Sequence, residues 1–386
     1  MTLSGFNNKL PVFAERMLGL LKDFKADITS YERFRDVQQR ELVGWKTQQP
    51  YYHANYYANQ ALETLQYTIP QLQTALNQAN IGMLDGFLSK TVGKESFGTA
   101  LFSGNIDVQG SRALVEKVDA IFPFQPLPGT RRSRRRAKRL PLNAAASSTS
   151  SVDGTPALEL DNPGPNPNDD NSASAFYYQM PSRSAADTVL VELLADVVEQ
   201  PFYDSLRTKQ QLGYIVYAGV RVKEAIATLL FVVQSSVKDG PALSERVEEF
   251  LYEEKYLPSL VAALSEADFE AYKEGIRSRK LEPDQRLTAQ AGRFWGEISQ
   301  QQPPAHLPEF DRAQREVAAL NKVTLKSFKQ FVKDFIGVQG TQRRLLVSEI
   351  TAPKRASSGG GTERPTRVAL APIKGFGKGD LPEILD

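Results

Sequence analysis

"PFYDSLRTKQQLGYIVYAG", residues 201–219, carries the end of one helical pattern and the start of a strand. The long apolar series before it, with Val189, Leu193, Val197 and Val198, predicts a helix over about 184–206. After Gly213 the run Tyr214–Val220 is β-rich, and Ile226–Gln234 repeats that composition beyond the charged "RVKE". Two such runs around a short polar break predict an antiparallel hairpin. Arg207 falls near the helix C-terminus, where a cation is favoured by the helix dipole, and Gly213 is read as permitting the reversal. Structurally these are a cap and a strand aromatic. Chemically, a guanidinium and a phenol at one turn are both donors to an oxyanion on a peptide carbonyl.

Working outward, "AFYYQM" at 175–180 predicts a strand before the long helix. Helices are predicted at about 241–257, 266–281, 284–300 and 311–336, the last broken near Thr324, before the strand "RRLLVSEI". Upstream, Leu10, Phe13, Met17, Leu20, Leu21 and Phe24 recur at helical spacing with Pro11 in the first turn. "TSYE" offers Thr29 and Glu32 as a capping box, and Thr68 with Gln71 offers another. Further helices are expected over 51–65 and 111–122, with a strand at 97–102. Between 142 and 174 the chain turns small and polar, and such composition cannot offset its ordering entropy. That stretch reads as a flexible connection with one short strand at 157–160.

Composition closes several functional classes. The chain of 386 residues has no cysteine, which excludes disulfides, thiolate nucleophiles and cysteine-ligated metals. Its two histidines stand far apart. His306 lies in "HLPEF", one residue short of an inverted zinc motif because Phe310 replaces the second ligand, and Pro308 interrupts the required helix. His53 sits among Tyr51, Tyr52, Tyr56 and Tyr57, which packing explains without catalysis. The net charge of +2 conceals "RRSRRRAKR" at 131–139, whose seven basic residues leave the remainder at −5. No aromatic or groove-reading partner accompanies that run, so nucleic acid is not favoured; it reads as a solvated connector, with nuclear import as its functional alternative. No apolar run reaches a membrane-spanning length of about 18 residues, and the first residues lack a secretory pattern. The expected setting is therefore intracellular and cytoplasmic.

The stretch 201–219 followed by "LLFVVQSS" resembles the C-terminal half of the insulinase, or pitrilysin, family of inverted-zinc metalloendopeptidases. "LSGFNNKLPVF", "QQPYYHANYY", "LFSGNID", "AFYYQM", "RLTAQAGRFWGEI" and "FDRAQREVAALNKVT" follow the family's order. The resemblance implies an α+β chain of two insulinase-like domains, each an antiparallel-rich sheet packed with helices. The first would span 1–135 and lack its opening strands. A basic strand and flexible linker would follow over 136–174, the second domain over 175–352, and a tail over 353–386. It also implies that Arg207 and Tyr214 contact the substrate backbone, supported by the turn at Gly213. Zinc, its ligands and the general base would belong to an N-terminal half outside this chain, so this chain would bind no cofactor and be inactive without that partner. Its other partners would be peptide substrates. The alternative is a non-catalytic scaffold or peptide-binding module of the same descent.

Overall fold

The computed structural model describes residues 1–91, 98–122, 136–142, 157–182, 184–223, 226–299, 310–356 and 370–372. Two compact units divide the chain: one comprises 1–45, 67–134 and 283–299, the other 46–66, 135–282 and 300–386.

The regular elements among the first unit's described residues are all helices. It contains α1 (Leu10–Lys22), α2 (Ile28–Gly44), α4 (Ile69–Gln78), α5 (Ile81–Thr91), α6 (Val108–Ile121) and α11 (Leu287–Ser299). Pro11 lies in the first turn of α1, where its missing N–H is harmless. Thr68 and Gln71 form the expected reciprocal box at the start of α4. At α2 the expected box gives way to Asp27, whose carboxylate accepts from the Ser30 amide, so the helix begins a residue before Thr29. The expected strand is not formed: residues 98–102 belong to no strand, and Phe97 lies outside the described residues. None of the residues of α1, α2, α4, α6 or α11 is buried, so amphipathic periodicity here has not produced a closed core among the described residues.

The second unit holds the sheet. Its strands are β1 (Ala157–Pro163), β2 (Ser172–Gln179), β3 (Ile215–Lys223), β4 (Ile226–Ser235), β5 (Leu345–Thr351) and β6 (Leu370–Pro372), in the spatial order β3-β4-β2-β5-β1-β6. β2 is antiparallel to β4 and to β5, β3 and β4 form the expected antiparallel pair, and β1 runs parallel to both β5 and β6. The fold is thus mixed α+β. The tip of the β3–β4 turn, residues 224–225, lies outside the described residues.

Side-chain alternation explains why the central strands read as unbroken apolar runs. Phe176, Tyr178, Leu229, Phe231, Val233, Leu345 and Val347 face one core, while Ala175, Tyr177, Leu230, Val232 and Leu346 face another. Both faces are covered, so neither phase of the period-two pattern needs to be polar. The larger core is closed by α7 (Ala185–Tyr203), α8 (Gly240–Tyr252), α9 (Leu257–Ala263), α10 (Glu266–Leu281), α12 (Arg312–Leu320) and α13 (Leu325–Phe335). Thr324 caps α13, which accounts for the break expected there. The opposite face is closed by α3 (Pro50–Leu62), with Ala54, Ala58 and Leu62 on the sheet. Tyr177 donates to Asn55 at 2.6 Å and Ser348 donates to the Ala54 carbonyl at 2.9 Å.

Two local expectations are corrected. The short strand expected at 157–160 forms and extends to Pro163 as β1, and residues 172–174 begin β2, so the polar stretch is not a linker up to residue 175. Its pairing partner β5 lies nearly 190 residues away, beyond the reach of a composition argument. The end of the basic run is also pinned: Ala137 bridges Glu63, the Lys138 amide donates to the Leu62 carbonyl, and Leu140 is buried. Residues 131–135 lie outside the described residues.

Candidate functional site

α7 starts at Ser184, whose hydroxyl accepts from the Asp187 amide, and buries Val189, Leu193, Leu194, Val197 and Val198. Pro201 removes one backbone donor near its end, and the helix then widens into a π turn at Asp204–Lys209. Arg207 lies in this turn rather than in α7 itself. Ser205 and Leu206, buried beside it, fix the turn to the core. Closure follows through the Gln210 amide to the Ser205 carbonyl and the Leu212 amide to the Leu206 carbonyl, both at 3.1 Å. Gln211 supplies the left-handed residue, with φ of 52°, and Leu212 buries its side chain.

The reversal therefore belongs to Gln211 and not, as expected, to the glycine. Gly213 is required for a different reason: a Cβ there would stand 2.0 Å from the Gln234 carbonyl oxygen on β4. Close approach of two backbones excludes any side chain.

This path brings the two sequence-derived site residues together. The half-buried Arg207 guanidinium carbon is 4.4 Å from the ring centre of Tyr214 and 4.9 Å from that of Tyr203. Tyr214 is 82% exposed and immediately precedes β3. A guanidinium between two aromatic faces is held by its charge while its N–H edge stays free to donate in plane. Arg207 forms no ion pair with a described residue, so that edge is not committed to a carboxylate within this set. The arrangement can present a delocalised cation and a phenolic donor to one carbonyl or carboxylate oxygen. Sequence reading missed Tyr203; its signal was the Tyr203–Arg207 spacing of four on a helical surface.

The other titratable candidates do not join this site. His53 is buried on α3, and its Nε2–H donates to the Gln48 carbonyl at 3.0 Å. Burial foremost holds its pKa below 6.5, partly offset by that hydrogen bond. His306 lies outside the described residues. Among the described residues, no group of three or more His, Cys, Asp or Glu side chains could hold a metal ion, so these side chains do not fit a zinc ion. Nor is any described helix long and apolar enough to cross a membrane.

The profile described as the middle or third domain of M16 peptidases matches residues 1–75. One described as the C-terminal lobe domain 4 of PqqF-like PQQ synthase matches residues 193–295, which include the turn and its hairpin. Human insulin-degrading enzyme is 27% identical over 91% of this chain and 33% of its own length. The Drosophila melanogaster insulin-degrading enzyme is 27% identical over 95% of this chain and 35% of its own. The chain thus spans about a third of the length of the relatives it matches. The crystal structure of pitrilysin superposes with a TM-score of 0.71 at 17% identity, covering 96% of this chain and 36% of that one, a likeness of fold.

Proposed function

The chain belongs to the insulinase (M16) peptidase family and corresponds to its C-terminal half, and from that premise we propose that it is a peptide-holding half of a peptidase. Arg207 and Tyr214 are the residues assigned to grip the peptide. The observation that carries this reading is the stacking of Arg207 on Tyr214 at the mouth of β3, 4.4 Å apart, with the tyrosine exposed. A peptide carbonyl placed between the guanidinium edge and the phenol would accept from both. If negative charge developed on that oxygen, the same donors would stabilise it more strongly, because a charged acceptor strengthens each hydrogen bond.

Zinc is the family's metal, and its hydrolytic chemistry would have to be supplied by residues other than those described here. What this chain contributes is binding and orientation of the peptide and hydrogen bonds to its backbone. An N-terminal, zinc-bearing half is accordingly the proposed partner. The names of the relatives, insulin-degrading enzymes, support peptides as the proposed substrate class. A cytoplasmic setting is part of the same proposal.

Two measurements test it. Fluorescence anisotropy of an unstructured labelled peptide with the purified chain should show binding that weakens about tenfold in Arg207→Ala, the scale of a lost charged hydrogen bond. With a zinc-bearing half added, Tyr214→Phe should reduce turnover more than peptide affinity. Unchanged affinity in Arg207→Ala together with unchanged turnover in Tyr214→Phe would remove both residues from the site. A purely binding role is the second reading; it expects the same affinity loss and no turnover with any partner half.

A further inference from the structure

β3 is an edge strand. Among the described residues it pairs only with β4, through nine consecutive partners from Ile215–Gln234 to Lys223–Ile226, with no residue skipped. Edge strands ordinarily discourage further pairing by being short or by carrying proline, bulges or charges at the rim. β3 has nine residues, no proline and no bulge. Its two cations are turned to α3 and the residue that follows it: Arg221 hydrogen-bonds Asn59, and Lys223 lies 2.6 Å from Glu63.

A groove of about 310 Å³ runs along this strand. One wall is formed by the three consecutive residues Ala218, Gly219 and Val220, the other by Glu192, Asp196 and Glu199 of α7 together with Arg279 and Lys280 of α10. Successive side chains on a strand point to opposite faces, so three neighbours lining one groove do so with main chain as well as side chains. Gly219 adds no side chain, and a Cβ built there would meet nothing within 4 Å. The carboxylates are only partly neutralised: Glu192 pairs with Lys280 and Asp196 with Arg279, while Glu199 is exposed and forms no ion pair with a described residue.

We propose that the outer edge of β3 receives an extended peptide as an added strand, and that a basic side chain of that peptide sits against Glu199. The occupant follows from the two walls. A row of main-chain groups is matched by another extended main chain, and the exposed Glu199 carboxylate, which forms no ion pair with a described residue, by a cation. This inference rests on the reading of Arg207 and Tyr214 as peptide contacts, because Tyr214 stands one residue before β3. From Tyr214 to Gly219 is about 16 Å at the rise of an extended strand. A segment of about six residues would therefore reach from the arginine–tyrosine pair to the groove.

The probe is a fluorescein-labelled decapeptide of alternating valine and threonine with one central lysine, titrated into the full chain. Two further versions carry N-methyl groups on alternate amides, one in each register. Strand addition predicts that one register loses about tenfold or more in affinity while the other keeps it, since only alternate amides face the partner strand. Amides within 215–223 should gain hydrogen-exchange protection on binding, and replacing the lysine by glutamate should weaken binding in the wild type more than in Glu199→Gln. Binding that depends on Arg207 but ignores N-methylation in both registers, without protection in 215–223, would overturn strand addition and leave the peptide-holding function standing. No binding by any of the peptides would overturn both.

Discussion

The guanidinium of Arg207 lies over the ring of Tyr214, 4.4 Å from its centre, although one residue ends a helix and the other precedes a strand. Tyr203, one turn upstream, faces the same guanidinium at 4.9 Å. A cation between two rings gains from both faces, and each exposed face contributes about 0.5–1 kcal/mol. Tyr203 is therefore a positioning residue. Tyr203→Leu should weaken peptide binding about two- to fivefold, the equivalent of losing one face. Tyr203→Phe, which keeps the ring, should restore the affinity, and thermal melting should distinguish this from a general loss of stability.

Gly213 and Gly219 stand six residues apart and should respond oppositely to alanine. At Gly213 the added methyl would meet the Gln234 carbonyl, so either the turn or β4 must shift. Overpacking of that kind costs about 1–3 kcal/mol. At Gly219 the methyl meets nothing within 4 Å, and alanine in a strand interior is favoured over glycine by about 0.5–1 kcal/mol. Urea unfolding of the two variants should show a lowered midpoint for Gly213→Ala and an equal or raised one for Gly219→Ala.

The glycine also illustrates what the sequence could disclose. The helix ending near residue 206, the β3–β4 hairpin and the Thr68 cap were legible because each depends on neighbours in sequence: apolar period, β-rich pairing and capping chemistry. The close approach of Gly213 to β4 depends on a residue 21 positions away, and no local pattern encodes it. The short strand expected at 157–160 forms, but its full length to Pro163 and its place in the sheet were hidden for the same reason. Its residues are polar enough to read as linker, and the hydrogen-bonding partner that orders them, β5, is remote. The allegiance of α3 to the sheet was likewise hidden, since its periodicity announces a buried face without saying what buries it. Arg207 and Tyr214 were recognised as residue types, but their stacking required the π turn and the left-handed Gln211.

His53 should impose a pH dependence on stability. Burial holds its pKa below the ordinary 6.5 in the folded chain, so the neutral ring is preferred there while the unfolded chain protonates normally. Its contribution is present in full above pH 6.5 and is lost as the pH falls below 6.5 toward the folded pKa. The urea midpoint should therefore decline between pH 7 and pH 5. In His53→Gln that part of the decline should vanish, whatever the variant's stability at pH 7. An identical slope in both proteins would show that other groups govern the transition.

Lys280 offers the sharpest electrostatic test. Its ammonium lies 2.7 Å from carboxylate oxygens of both Glu192 and Glu316, tying α10 to α7 and α12. Burial disfavours the charged lysine, but the two carboxylates outweigh it and raise its pKa above 10.5. Burial likewise raises the pKa of Glu192 above 4.5, against the opposing pull of Lys280. Lys280→Met keeps much of the apolar stem but leaves the two carboxylates facing each other without their counter-ion, and a stability loss of about 2–3 kcal/mol is expected near neutral pH. The pKa of Glu192 should then rise further, because the group that lowered it is gone. A raised folded-state pKa favours the folded chain at low pH and loses that favour as the pH rises through it. The deficit of Lys280→Met should accordingly be largest near pH 7–8 and shrink toward pH 4. Adding Glu192→Gln should recover part of it at neutral pH and little at pH 4. Equal deficits at both pH values would show that Lys280 matters through packing of its stem and not through its charge.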